Sequence, residues 1–120
     1  WAVEILDKYK CNQVALEGYS FGSKGKVFHI AENTGVLKYK LFQASIPVDI
    51  IAPTSVKKFA TGKGNADKKG LHEAFKKETL IDLHKCMTPN KKEITSPVSD
   101  VVDSYYICKM FYNRLNESKK

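Results

Sequence analysis

With 120 residues the chain has room for one domain with a core and none for two. An apolar share of 42% and a charged share of 28% are those of a globular protein and exclude pervasive disorder. Lys and Arg number 20 against 13 Asp and Glu, a formal charge of +7. The expected partner is therefore anionic, nucleic acid foremost, with a merely solubilising surface as the plain alternative.

The chain opens on Trp1, Val3, Ile5, Leu6 and Tyr9, apolar at helical spacing with Glu4, Asp7 and Lys8 between them. This predicts an amphipathic helix already under way. Val14-Ala15-Leu16-Glu17-Gly18-Tyr19 follows, an apolar run that reads as a buried strand ending in a carboxylate. Open α/β sheets place their sites at that rim, so Glu17 is either a site acid or a solvated strand-end residue. Ser20 to Lys26 is a short basic loop containing glycine, with Ser23 as the expected cap of the next helix. Val27, Ile30, Ala31, Thr34, Leu37 and Leu41 mark that helix's face. Gly35 inside it suggests a close helix contact, and Val36 to Leu41 also alternates like a strand.

Val48 to Pro53 reads as a second buried strand, which completes a βαβ unit and hence a parallel pair. Thr54 to Thr61 predicts a short helix carrying Lys57 and Lys58. Thr61-Gly62-Lys63-Gly64-Asn65 predicts a basic turn with Asn65 as cap, and Leu71, Ala74 and Phe75 place a helix over 66–78. Residues 80–95 give no clear period, and Pro89-Asn90-Lys91-Lys92 reads as loop. Ser99 is the expected cap of a last helix with the stripe Val101, Tyr105, Cys108 and Tyr112, and the tail from Asn116 is expected to fray. Two strands are fewer than the roughly four to six of an independent sheet, so an N-terminally truncated single domain, 1–120, is expected.

Cys11, Cys86 and Cys108 are odd in number and form no C-x-x-C pair, which predicts reduced thiols. His29, His72 and His84 show no zinc spacing. No apolar run approaches membrane length and no signal peptide opens the chain, so a cytoplasmic protein with no membrane partner is expected.

The chemistry concentrates in three carboxylates. Asp100 and Asp103, at i, i+3 in the first turn of the last helix, share one face. Complementing the helix dipole is a sufficient structural role for both. Together with Glu17 they could instead form a cluster of like charges, which needs a cation, and hard oxygen donors select Mg²⁺ or Mn²⁺. In a basic protein that points to metal-assisted phosphodiester chemistry. Lys57, Lys58, Lys63, Lys68 and Lys69 fall within thirteen positions, and Lys24 and Lys26 follow Glu17. Such lysines hold phosphates without reading sequence. Gly62 and Gly64 allow backbone amides near a phosphate, although the P-loop spacing is absent. Tyr19 and Phe21 could stack on an unpaired base or pack beneath the loop.

Ala15-Leu16-Glu17-Gly18-Tyr19, Val56-Lys57-Lys58, Thr61-Gly62-Lys63-Gly64-Asn65-Ala66-Asp67-Lys68 and Ser99-Asp100-Val101-Val102-Asp103-Ser104 occur in an order and spacing that resembles the C-terminal two-thirds of a RuvC-type Holliday junction resolvase, of the small phage-like kind. The third segment is the most specific, since that family carries a similar T-G-x-G-x-A-D-K turn before a helix. The resemblance implies an RNase H-like fold of α/β class, a mixed sheet flanked by helices, with an acidic site for two divalent metals. It makes Glu17 similar to the family's second carboxylate and Asp100 and Asp103 similar to the third and fourth. Lys57, Lys58, Lys63 and Lys68 correspond to its DNA-facing region. It further implies a homodimer nicking both strands of a four-way junction symmetrically, by in-line attack of an activated water that leaves a 5′-phosphate and a 3′-hydroxyl.

The chain departs from that pattern at one point. The family's first carboxylate is an Asp on its first strand, and neither Glu4 nor Asp7 matches it. The reading is a metal-dependent junction endonuclease, seen as a fragment and acting in the cytoplasm, of a phage host on the phage-like resemblance. The rival is a non-catalytic basic DNA-binding module of the same fold.

Overall fold

The computed structural model describes residues 1–18 and 27–118, with backbone alone at 27 and 28. The expectations for Tyr19, Phe21, Ser23, Lys24 and Lys26 lie outside the described residues. The chain divides into two compact units, Trp1–Ala52 and Pro53–Lys120. No helix among the described residues is long and apolar enough to cross a membrane.

The first unit is the expected βαβ arrangement. Helix α1 (Ala2–Lys8) packs on α2 (Val27–Gln43), and α2 links strands β1 (Val14–Glu17) and β2 (Val48–Ile51). The strands pair in parallel, from Val14 opposite Val48 to Glu17 opposite Ile51. Aliphatic and β-branched side chains favour this pleated surface. The strands are less buried than expected: Val14, Ala15 and Leu16 are half-buried, Ile50 is exposed, and only Ile51 is sealed. Each described strand has a neighbour on one side alone, so its other edge contributes no cover.

Among the described side chains of α2, Leu41 is sealed, whereas Ile30, which shares its predicted face, is 53% exposed. The contact expected at Gly35 is missing as well. A Cβ built there meets nothing within 4 Å. At Gly18 the opposite holds, because its N–H donates to the Ile51 carbonyl at 2.8 Å and a Cβ would lie 3.1 Å from Ile50 Cγ2. Close strand approach explains that glycine.

The second unit is helical: α3 (Pro53–Thr61), α4 (Lys68–Thr79), α5 (Leu83–Met87) and α6 (Val98–Ser118). Helices α3, α4 and α6 pack on one another, and α5 lies against α6. The shared core is Val56, Leu71, Phe75, Val98, Val102 and Tyr106. Phe75 meets Tyr105 edge-to-face with ring centroids 5.0 Å apart, and Tyr105 meets Tyr106 likewise at 5.1 Å. Glu78 and Lys109 pair between α4 and α6.

Four sequence expectations change here. Helix α4 starts at Lys68, and its cap is Asp67 rather than Asn65, since the Asp67 carboxylate accepts from Gly70 N–H at 2.8 Å. Helix α6 starts at Val98, with Val101 N–H already donating to the Pro97 carbonyl, so Ser99 is inside the helix and buried. Its buried stripe is Val98, Val102 and Tyr106, while Val101 and Tyr112 are exposed. Both sets have helical spacing, so periodicity alone could not choose between them. In the tail expected to fray, 116–118 continue the helix to Ser118, and the last two residues lie outside the described residues. In the segment without a clear period, Asp82 caps the short α5 by accepting from Lys85 N–H at 3.0 Å.

Candidate nuclease site

In the first unit Glu17 ends β1, exposed, opposite the sealed Ile51 and next to the tightly fitted Gly18. It is the strand-end carboxylate that the sequence predicts.

In the second unit α6 carries Asp100 and Asp103 one turn apart. Because α6 begins at Val98, Asp100 lies in the first turn and Asp103 in the second. Asp100 is exposed, whereas Asp103, one turn beyond the buried Ser99, is half-buried. Burial raises the Asp103 carboxyl above its ordinary value, and the like charge of Asp100 raises it further. Lys57 on α3 and Lys68 on α4 act in the opposite sense. Packing of α3 and α4 on α6 therefore brings two of the expected phosphate-binding lysines into electrostatic reach of the carboxylate pair.

The T-G-K-G-N-A-D-K turn that joins α3 to α4 has a specific construction. The Thr61 hydroxyl donates to the Lys57 carbonyl at 2.8 Å and accepts from Lys63 N–H at 3.1 Å. Gly62 turns the chain at φ +82°, a left-handed conformation that favours glycine, while its N–H donates to the Lys58 carbonyl. A Cβ at Gly70 would sit 3.2 Å from the capping oxygen of Asp67, so that glycine leaves room for the cap. Thr61, Gly62, Asp67 and Gly70 thus fix the turn, and Lys58, Lys63 and Lys68 stand exposed around it.

Within neither unit do three or more His, Cys, Asp or Glu side chains gather to hold an ion, among the described residues. The donor chemistry nevertheless fits a hard divalent cation at Asp100 and Asp103. Both offer carboxylate oxygens on one helix face, and the repulsion felt by Asp103 is what a cation would relieve. Glu17 joins that set only through the family resemblance.

A family model described as crossover junction endodeoxyribonuclease RuvC matches residues 2–99. The chain belongs to the RuvC family. The match stops one residue short of Asp100. The RuvC of Ruegeria pomeroyi is 34% identical over 111 residues, which cover 92% of this chain and 61% of that protein. The RuvC of Helicobacter pylori is 34% identical over 80 residues, covering 66% and 50%. The Thermus thermophilus RuvC structure superposes with a TM-score of 0.65 at 20% identity, over 95% of this chain and 64% of that one. The same protein in complex with Holliday junction substrate gives 0.64 at 19% identity. The shared fold is the RNase H-like one of RuvC. The chain spans about half the length of the curated RuvC relatives it matches.

Sequence reasoning passed over one group. His72 and His84, twelve residues apart, come together with Asp82: His84 N–H donates to His72 Nε2 at 3.3 Å, and Asp82 Oδ1 lies 3.7 Å from the same nitrogen. The available signal was His72 at the buried spacing of Leu71 and Phe75 on α4.

Proposed function

We propose that the protein is a metal-dependent, structure-selective DNA endonuclease that resolves four-way junctions as a homodimer in the cytoplasm. The observation that carries this reading is the Asp100–Asp103 pair, half-shielded on α6 with Lys57 and Lys68 in reach, on a RuvC fold. A RuvC of that fold is described in complex with a Holliday junction.

In this reading Glu17, Asp100 and Asp103 hold two Mg²⁺ or Mn²⁺ ions. When bound, these neutralise phosphodiester charge and make water a better nucleophile near neutral pH. Lys57, Lys58, Lys63 and Lys68 bind strand phosphates and set the register of the DNA without reading its sequence. From the sequence alone, Lys24 and Lys26 are assigned phosphate contacts too, and Tyr19 and Phe21 stacking on an unpaired base.

Homodimer formation is supported by the outer side of α2. Val36, Tyr39 and Phe42, three residues apart in turn, are 62%, 60% and 78% exposed. An apolar helix face of this kind suits burial against its own copy.

The test is incubation with a labelled four-way junction and Mg²⁺ or Mn²⁺. Symmetric nicking is expected, abolished by Glu17→Gln and by Asp103→Asn with junction binding retained. Binding that never leads to nicking would assign the non-catalytic module instead, and absence of junction binding would overturn both.

A further inference from the structure

The second unit also holds a cavity of about 610 Å³ lined mostly by charged side chains, walled by α4 on one side and by the segment from Asp82 to Ile94 on the other. That volume lies within the roughly 300–1,000 Å³ of small-ligand pockets. Lys68 and Lys69 line it at the start of α4, and Lys92 lines the opposite wall. Among the described residues none of these three forms an ion pair.

The buried wall is His72, 3% exposed. Its Nε2 accepts from His84 N–H, which places the proton of the neutral ring on Nδ1. Nδ1 is buried and has no hydrogen-bond partner. A buried donor without an acceptor is a cost that folds rarely retain. The ring of His84 meets that of His72 edge-to-face, with centroids 6.3 Å apart and planes at 78°, so the wall offers an aromatic surface.

The charges narrow the ligand class. Four lysines are matched by four carboxylates, so no excess of positive charge suits a bare anion. Asp67 and Asp82 are committed to helix caps, which leaves Glu73 and Glu93 as acceptors on the walls. A ligand with one anionic end and a flat ring bearing amino groups satisfies all three features. We infer that this cavity binds one nucleoside 5′-phosphate unit, its phosphate held by Lys68 and Lys69 and its base set against the His72–His84 wall, with Glu73 or Glu93 accepting from an exocyclic amino group.

Lys68 both lines the cavity and acts on the Asp103 carboxyl. If the unit is a nucleotide of the DNA strand, the inference rests on the nuclease reading. A free nucleotide offers the same chemistry without it.

The experiment is an NMR titration of the full chain, following the ring protons of His72 and His84. Deoxycytidine monophosphate is expected to move both, while inorganic phosphate leaves them in place. Lys69→Ala, an exposed substitution, is expected to weaken the nucleotide roughly three- to tenfold, and an unchanged affinity would overturn the inference. Ring signals unmoved by the nucleotide, or moved equally by phosphate, would overturn the inference. A four-way junction then separates the sources. Ring shifts on junction binding assign the nucleotide to the DNA strand. Shifts with the mononucleotide alone assign a free nucleotide, and if no junction binds at all, the resolvase reading falls while the cavity stands. A junction that is bound and nicked while neither ligand moves the rings overturns the cavity and leaves the nuclease.

Discussion

Asp103 is half-buried one helical turn from the exposed Asp100, and both its burial and that neighbour's charge raise its carboxyl above its ordinary value. An acid whose folded-state value is raised contributes stability that is present below the unfolded value and lost as pH rises through the folded one. At neutral pH the ionised pair therefore works against folding. Asp103→Asn is expected to abolish cleavage and yet stabilise the protein by about 0.5 kcal/mol at pH 7, the scale of a like-charge pair on one helix face. In urea melts this advantage should shrink as pH is lowered toward the ordinary carboxylate range. A variant less stable than wild type at pH 7 would show that Asp103 is structural.

The turn before α4 gives a sharper contrast. Gly62 has φ +82°, where a Cβ is disfavoured, whereas a Cβ at Gly64 meets only the Thr54 carbonyl at an ordinary 3.6 Å. Gly62→Ala is expected to cost about 1 kcal/mol, and Gly64→Ala much less. Because Lys63 hangs on this turn through Thr61, Gly62→Ala should also weaken DNA binding. Equal melting midpoints for the two variants would contradict this account of the turn.

What the sequence made legible was local. The βαβ order, the strand-end Glu17, the α3 lysines and the Asp100–Asp103 spacing follow from period and residue type, and all appear in the structure. What it hid depended on tertiary choice. Val98, Val102 and Tyr106 and the exposed Val101 and Tyr112 have competing helical spacings, and packing on α3 and α4 selects the first set. Asp67 and Asn65 are both good caps, and the room left by Gly70 favours Asp67. The His72–His84 contact spans twelve residues with no shared period, so no linear pattern announces it.

Asp82 predicts a pH dependence of the opposite sign. Its carboxylate accepts from Lys85 N–H and pairs with Lys76 at 3.3 Å, and these hold it below its ordinary value, the backbone bond first. A lowered acid contributes stability that is present above its unfolded value and lost as pH falls through the folded one. Amides of α5 should exchange faster in Asp82→Ala and less so in Asp82→Asn, which keeps a cap but loses the ion pair. On acidification the wild type should approach the asparagine variant, because a protonated carboxyl loses the ion pair and still accepts from Lys85 N–H. Exchange rates that are alike in all three proteins would show that Asp82 does not hold this segment.

Lys57 and Lys63 separate two roles that composition alone merges. Both are expected to bind phosphate, so replacing either by Met should weaken junction binding uniformly across sequences and reduce the salt slope by roughly one. Only Lys57 also acts on Asp103, whose carboxyl it lowers. Removing Lys57 should therefore raise Asp103 further and move the acid limb of the pH–cleavage profile upward, because the carboxylate must be ionised to serve. Lys63→Met should leave that limb in place while losing the same affinity. If the two variants shift the profile equally, the limb reports bound DNA rather than Asp103, and the electrostatic link between α3 and α6 has no catalytic consequence.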